Sequence, residues 1–161
     1  MALTPTHKKK VRESISSYCR QAVANEQRVH YSQARPFRFY DSMGGGYVVA
    51  DCSSFVVNCF WNAGHDLHVY IADPSGQRNS GWGNTWTMET WLREHGKRVT
   101  EVNGFLVGDI AMFDGHTMIC SVRGTAKASW WTSHGTEGGP DLRKLNYRPD
   151  LRGVWRHPGL L

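Results

Sequence analysis

The chain has 161 residues, 40% of them hydrophobic and 20% charged, with a formal charge of +5. That is the balance of one folded domain with its own core, taken as 1–161. No apolar run reaches the roughly 20 residues of a membrane span, and no zinc-finger or RNA-binding pattern accompanies the basic charge, so neither membrane insertion nor nucleic-acid binding is expected.

The opening residues lack the apolar stretch of a signal peptide. The chain is therefore expected to be made in a cytoplasm, with Cys19, Cys52, Cys59 and Cys120 as free thiols. Residues 5–24 read as an amphipathic helix: Thr4 is a fitting N-cap and Pro5 a fitting first residue. Val11, Ile15, Tyr18, Cys19 and Ala22 then recur at three- and four-residue steps. Lys8, Lys9, Lys10 and Arg12 lie on this helix and read as a solvated face. Residues 26–50 read mostly as loop, with Arg35–Pro36 and Gly44–Gly45–Gly46 as breakers.

A second helix, 52–63, is mostly apolar, with Asp51 as N-cap and Gly64 as stop. Turn residues fill 73–83, and a third helix over about 85–95 ends at Gly96. Beyond residue 104 short β-like runs take over at 110–113, 117–122, 128–133 and 153–156. Turn signals separate them at Asp114–Gly115, Gly124 and Gly138–Gly139–Pro140. Helices first and strands afterwards predict an α+β fold with an antiparallel sheet.

Cys52 is singled out because it falls in the first turn of a buried helix. Free backbone N–H groups and the positive end of the helix dipole favour a thiolate there, and can hold an oxyanion. Cys19 and Cys59 lie mid-helix on apolar faces and read as inert core thiols. A thiol nucleophile needs a base, and His116 follows a strand and a tight turn and opens the next strand, where the sheet can hold its ring rigid. The base needs an orienter. His134 is the first choice, since imidazole can accept the Nδ1 proton of His116; Thr132 and Glu137 are the alternatives.

Asp51–Cys52–Ser53–Ser54–Phe55 at a helix start, then Gly108–Asp109 leading to Phe113, then His116 at a strand start, resembles the papain-like cell-wall peptidases. These are the NlpC and CHAP groups of cysteine peptidases and amidases. Within them the chain looks most like the N-terminal peptidase domains of endolysins from phages of actinobacteria. Trp131–Thr132–Ser133–His134–Gly135 and Tyr147–Arg148–Pro149–Asp150 also match, and the likeness covers about residues 10–157.

The resemblance implies a nucleophile-bearing helix packed on an antiparallel sheet that carries the His. It implies a hydrolase acting on bacterial peptidoglycan stem peptides as a monomer, with no metal and no cofactor, made in the host cytoplasm and working at the wall. Substrate contacts are expected from Tyr31, Asp51, Ser53 and Trp131, with Asp51 serving chiefly as the helix cap. Some relatives carry Glu where Thr132 stands, which leaves the orienter open.

The basic charge suits a wall bearing anionic polymers. Three other readings stay open. One is an N-acetylmuramoyl-L-alanine amidase on the same fold. Another is a wall-binding module without catalysis, gripping ligand through Trp82, Trp86, Trp91 and Trp131. The last is a zinc site built from Cys52, His116, Cys120 and His134.

Overall fold

The computed structural model describes residues 3–32, 48–63, 85–122, 130–135 and 138–161. Helix α1 spans Pro5–Ala24 and starts as expected: the Thr4 hydroxyl accepts the His7 N–H at 3.2 Å, and Pro5 takes the first position. Its buried residues are Val11, Ile15, Tyr18, Cys19 and Ala22, the stripe predicted from spacing. Helix α2, Cys52–Ala63, is buried without interruption from Cys52 to Trp61. An uninterrupted apolar run gives a helix covered on all sides rather than an amphipathic one. Helix α3, Thr85–His95, buries Met88, Glu89 and Leu92. At its end the Gly96 N–H donates to the Leu92 carbonyl, and a Cβ on Gly96 would meet that oxygen at 2.8 Å and the Arg156 carbonyl at 2.9 Å.

Strands β1 (Val29–Tyr31) and β2 (Val48–Ala50) form a short parallel pair. The remaining six are β3 (Lys97–Val99), β4 (Ile110–Phe113), β5 (His116–Val122), β6 (Trp130–Gly135), β7 (Gly138–Arg143) and β8 (Leu151–Arg156). They build one sheet in the order β3-β8-β4-β5-β6-β7, antiparallel at every junction. The α+β class and the antiparallel sheet are thus as the sequence predicts.

Several local expectations are corrected. Residues 26–50, read as loop, contribute β1 and β2. Strands of three residues are too short to show a period, so composition hid them. Gly138–Gly139–Pro140, read as a turn, opens β7 instead. β7 is an edge strand, and an edge tolerates a residue with no N–H to donate. The β8 strand begins at Leu151 rather than 153. The breakers at 35–46, the Gly64 stop, the 73–83 turns, Gly124 and positions 128–129 lie outside the described residues.

The sheet is buried on both faces, and strand alternation sorts its side chains. Ile110, Met112, Ile119 and Trp155 join α1, α2 and α3 in one apolar cluster with Ile15, Phe55 and Phe60. Ala111, Phe113, Met118, Cys120 and Val154 turn the other way and pack with Val99, Phe105 and Trp131 in a second cluster, flanked by Leu145 and Tyr147. Each large apolar side chain buried this way contributes about 1.5–3 kcal/mol.

The Gly108–Asp109 pair fastens the sheet. The Asp109 carboxylate, fully buried, takes two bonds from the Arg156 guanidinium at 2.7 and 2.8 Å and one from the Leu106 N–H at 2.8 Å. Gly108 has φ +93, and a Cβ there would meet Leu160 at 2.8 Å, so the position requires glycine.

Candidate active site

The start of α2 is closed by a reciprocal cap. Asp51 Oδ1 accepts the Ser54 N–H at 2.8 Å and the Ser53 hydroxyl at 3.1 Å, while Ser54 Oγ accepts the Asp51 N–H at 2.8 Å. This is the capping-box arrangement with the acid in the N-cap position and the hydroxyl three residues on. Asp51 is therefore the cap the sequence suggested. Cys52 becomes the first residue of the helix, 7% exposed.

The thiol of Cys52 collects backbone donors. The backbone N–H groups of Thr117, Ser53 and Cys52 itself favour the thiolate. The Thr117 N–H belongs to the peptide that joins His116 to Thr117, so the Cys52 thiol lies near the first peptide of β5. Burial and the Asp51 carboxylate act in the opposite direction and are stronger: they push the thiol up to about 11. The helix start therefore does not by itself yield the thiolate that a dipole argument expects. At neutral pH the resting sulfur is a thiol.

His116 stands where β5 leaves the hairpin turn Asp114–Gly115, with Gly115 at φ +66. Arg148 holds this turn by donating to the Asp114 carbonyl at 3.2 Å, and is itself fixed by Asp150 at 2.6 Å. The His116 ring is 5% exposed and lies against Phe113 and Tyr147, at centroid distances of 6.0 and 6.4 Å. The sheet and two aromatic rings thus restrict its motion. Tyr147 was not distinguished by any spacing in the sequence; it reaches the site through the loop between β7 and β8.

The orienter candidates separate. Thr132 is fully buried, pairs with Ile119 across the β5–β6 ladder and gives its hydroxyl to Ser121 Oγ at 2.8 Å. Ile119 is three residues along β5 from His116, about 10 Å at strand rise. Thr132 is thereby corrected: it is a buried strut between β5 and β6, out of reach of His116. His134 lies on β6 one residue beyond Ser133, the partner of Met118, so its backbone is at the end of the sheet where β5 meets Cys52. Its side chain and the whole of Glu137 lie outside the described residues.

The four expected substrate contacts also divide. Tyr31 is half-buried and pairs with Ala50, two residues before Cys52, and the Ser32 N–H donates to the Ala50 carbonyl at 3.1 Å. The parallel β1–β2 pair thus carries Tyr31 to the entrance of α2. Ser53 is buried with its hydroxyl spent on Asp51. Trp131 is corrected: at 1% exposure, edge-on to Phe105, it is a core residue of the far face with no surface for a ligand. Trp91 is stacked between His95 and His157 at 4.7 and 5.3 Å, whereas Trp86 is 76% exposed. Trp82 lies outside the described residues.

A pocket of about 170 Å³ opens beside the β4–β5 turn, between Trp86, Asp114 and Arg152. Its floor is Glu89, 5% exposed, held by Arg93 at 2.7 Å and Arg152 at 2.8 Å, and its carboxyl is kept below the usual range by those two guanidinium groups against the opposing effect of burial. Among the described residues no three His, Cys, Asp or Glu side chains are grouped as metal ligands, and no described helix is long and apolar enough to cross a membrane.

No protein-family model, curated protein or solved structure matches this chain.

Proposed function

We propose that the chain is a papain-like cysteine hydrolase of bacterial peptidoglycan, of the NlpC and CHAP kind and an endolysin in role, cutting amide bonds in stem peptides with Cys52 and His116. One observation supports this reading: at the first residue of α2 the Cys52 thiol is acted on by the backbone N–H that follows His116, which brings the start of β5 to the start of α2.

The resting thiol sets the order of events. His116 removes the Cys52 proton as the sulfur attacks the peptide carbonyl, rather than holding a stored thiolate–imidazolium pair. The backbone N–H of Cys52 and its neighbours at the helix start receive the oxyanion. His116 then protonates the leaving amine, and water releases the acyl-enzyme. His134 is the group for holding the His116 tautomer, with Glu137 as second choice. Tyr31 and the Trp86 pocket flank the site and supply substrate contacts.

The same chemistry on the bond between the glycan and the first stem residue makes the chain an N-acetylmuramoyl-L-alanine amidase, and mass spectrometry of digested peptidoglycan separates the two. The wall-binding reading is weakened because, of the three described Trp residues assigned to it, only Trp86 is largely exposed. The deciding experiment is turbidity loss of cell walls with the purified chain and with Cys52→Ala and His116→Ala. Lysis by the parent and none by either variant supports the assignment; lysis retained by either variant removes it.

A further inference from the structure

Two thiols that the proposed reaction does not use lie together in the core. Cys19 of α1 and Cys59 of α2 are 40 residues apart in sequence, both fully buried, with their sulfurs 3.7 Å apart. Around them Tyr18 and Asn58, each preceding one of the two cysteines, are joined by a hydrogen bond, so the two helices are in register here. Burial and the neighbouring Cys19 thiol raise the Cys59 thiol well above its ordinary range. The sulfurs are in van der Waals contact at 3.7 Å, and a disulfide brings them to roughly 2.05 Å.

We propose that Cys19 and Cys59 form a latent disulfide, which a peroxide oxidant closes to tie α1 to α2 and stabilise the folded form. One sulfur attacks a peroxide oxygen and the O–O bond breaks. The thiol proton goes to the departing hydroxide as water, leaving a sulfenic acid. The second sulfur displaces its hydroxyl, forming the S–S bond and a second water. Two electrons leave the sulfur pair and reduce the peroxide, so the step balances with hydrogen peroxide alone. Small size matters, because the pair is reached only by a molecule that penetrates between the helices. The inference is independent of the role given to Cys52, which lies seven residues earlier on α2, about 10 Å along its axis.

The test treats the full chain with hydrogen peroxide and maps its peptides without reductant. The expected result is a Cys19 peptide joined to a Cys59 peptide, released by dithiothreitol. The melting temperature should rise by roughly 5–10 °C, as for closing a loop of this length in a domain of this size. Cys59→Ala should show neither change; should that variant fail to fold, reversal by dithiothreitol in the parent chain serves as the control. Cys19 and Cys59 recovered as separate thiols or sulfinic acids, either of them joined to Cys52 or Cys120, or a cross-linked protein that melts no higher than the reduced one, each overturns the proposal.

Discussion

Helix α2 carries two cysteines in two different environments, and the contrast between its first turn and its middle shows what makes a thiol chemically useful. Both residues are buried, Cys52 at 7% and Cys59 at 0% exposure, and burial raises both thiols. At the first turn the sulfur also finds the N–H groups that a helix start leaves unpaired, and one from β5. In the middle the sulfur meets another sulfur, and the one backbone N–H that acts on it is that of Cys59 itself. Desolvation is common to both; the backbone donors number three at Cys52 and one at Cys59. The proposed reactivity therefore falls at the end of the helix and packing in its interior.

The largest effect that tests this contrast is on rate. Cys52→Ala should reduce kcat/KM on peptidoglycan by at least about a thousandfold, as removal of a nucleophile does, with a melting temperature near that of the parent. Wild-type turnover by this variant would erase the distinction between the two thiols.

Next comes a pH effect from the middle of the helix. His157 packs on Phe60 of α2 at 5.3 Å and on Trp91 at 5.3 Å, and burial lowers it to about 4. The unfolded chain protonates this imidazole near 6.5, while the folded one keeps it neutral down to about 4. Its neutral form is thus the folded one: stability is complete above about 6.5 and declines as pH falls towards 4, by up to about 3 kcal/mol. Chemical denaturation of the parent and of His157→Phe across that window should show the parent losing more. Parallel losses would mean that His157 is not desolvated.

A smaller effect separates packing from chemistry. Cys59→Ala should cost about 1–2 kcal/mol through lost apolar contact, with the catalytic rate unchanged. A rate loss matching that of Cys52→Ala would show that the interior of α2 takes part in the reaction.

Asp51→Asn is the smallest change and the sharpest probe of the first turn. Asn caps a helix about as well as Asp, so stability should move by only a few tenths of a kcal/mol. The carboxylate charge that raises Cys52 is removed, so the thiol should ionise at lower pH, read as an earlier rise in iodoacetamide alkylation with pH. An unchanged profile would show that Asp51 does not act on the sulfur.

The pattern of three-and-four spacing made α1 visible, and its buried face was the one read from the residues. The short strands β1, β2 and β3 escaped because three residues carry no period. In the candidate site, the places of Cys52, Asp51 and His116 at element boundaries were legible because local residues mark them: an acid before an apolar run, and Asp114–Gly115 before a strand. Thr132 and Trp131 were misjudged together. Alternation says which residues of a strand share a face, but not how far along its neighbour they fall, and the β5–β6 register puts Thr132 opposite Ile119.

By itself the sequence determined the α+β class, the helix that begins at a capped cysteine and the strand that begins at a histidine, because caps, turns and periodicity act between residues close in the chain. Only the tertiary structure decided what those starts face. The amide between His116 and Thr117 meets the Cys52 sulfur, burial and Asp51 together hold that sulfur as a thiol, and Cys19 meets Cys59, since each of these depends on how helices and sheet pack across tens of residues of sequence.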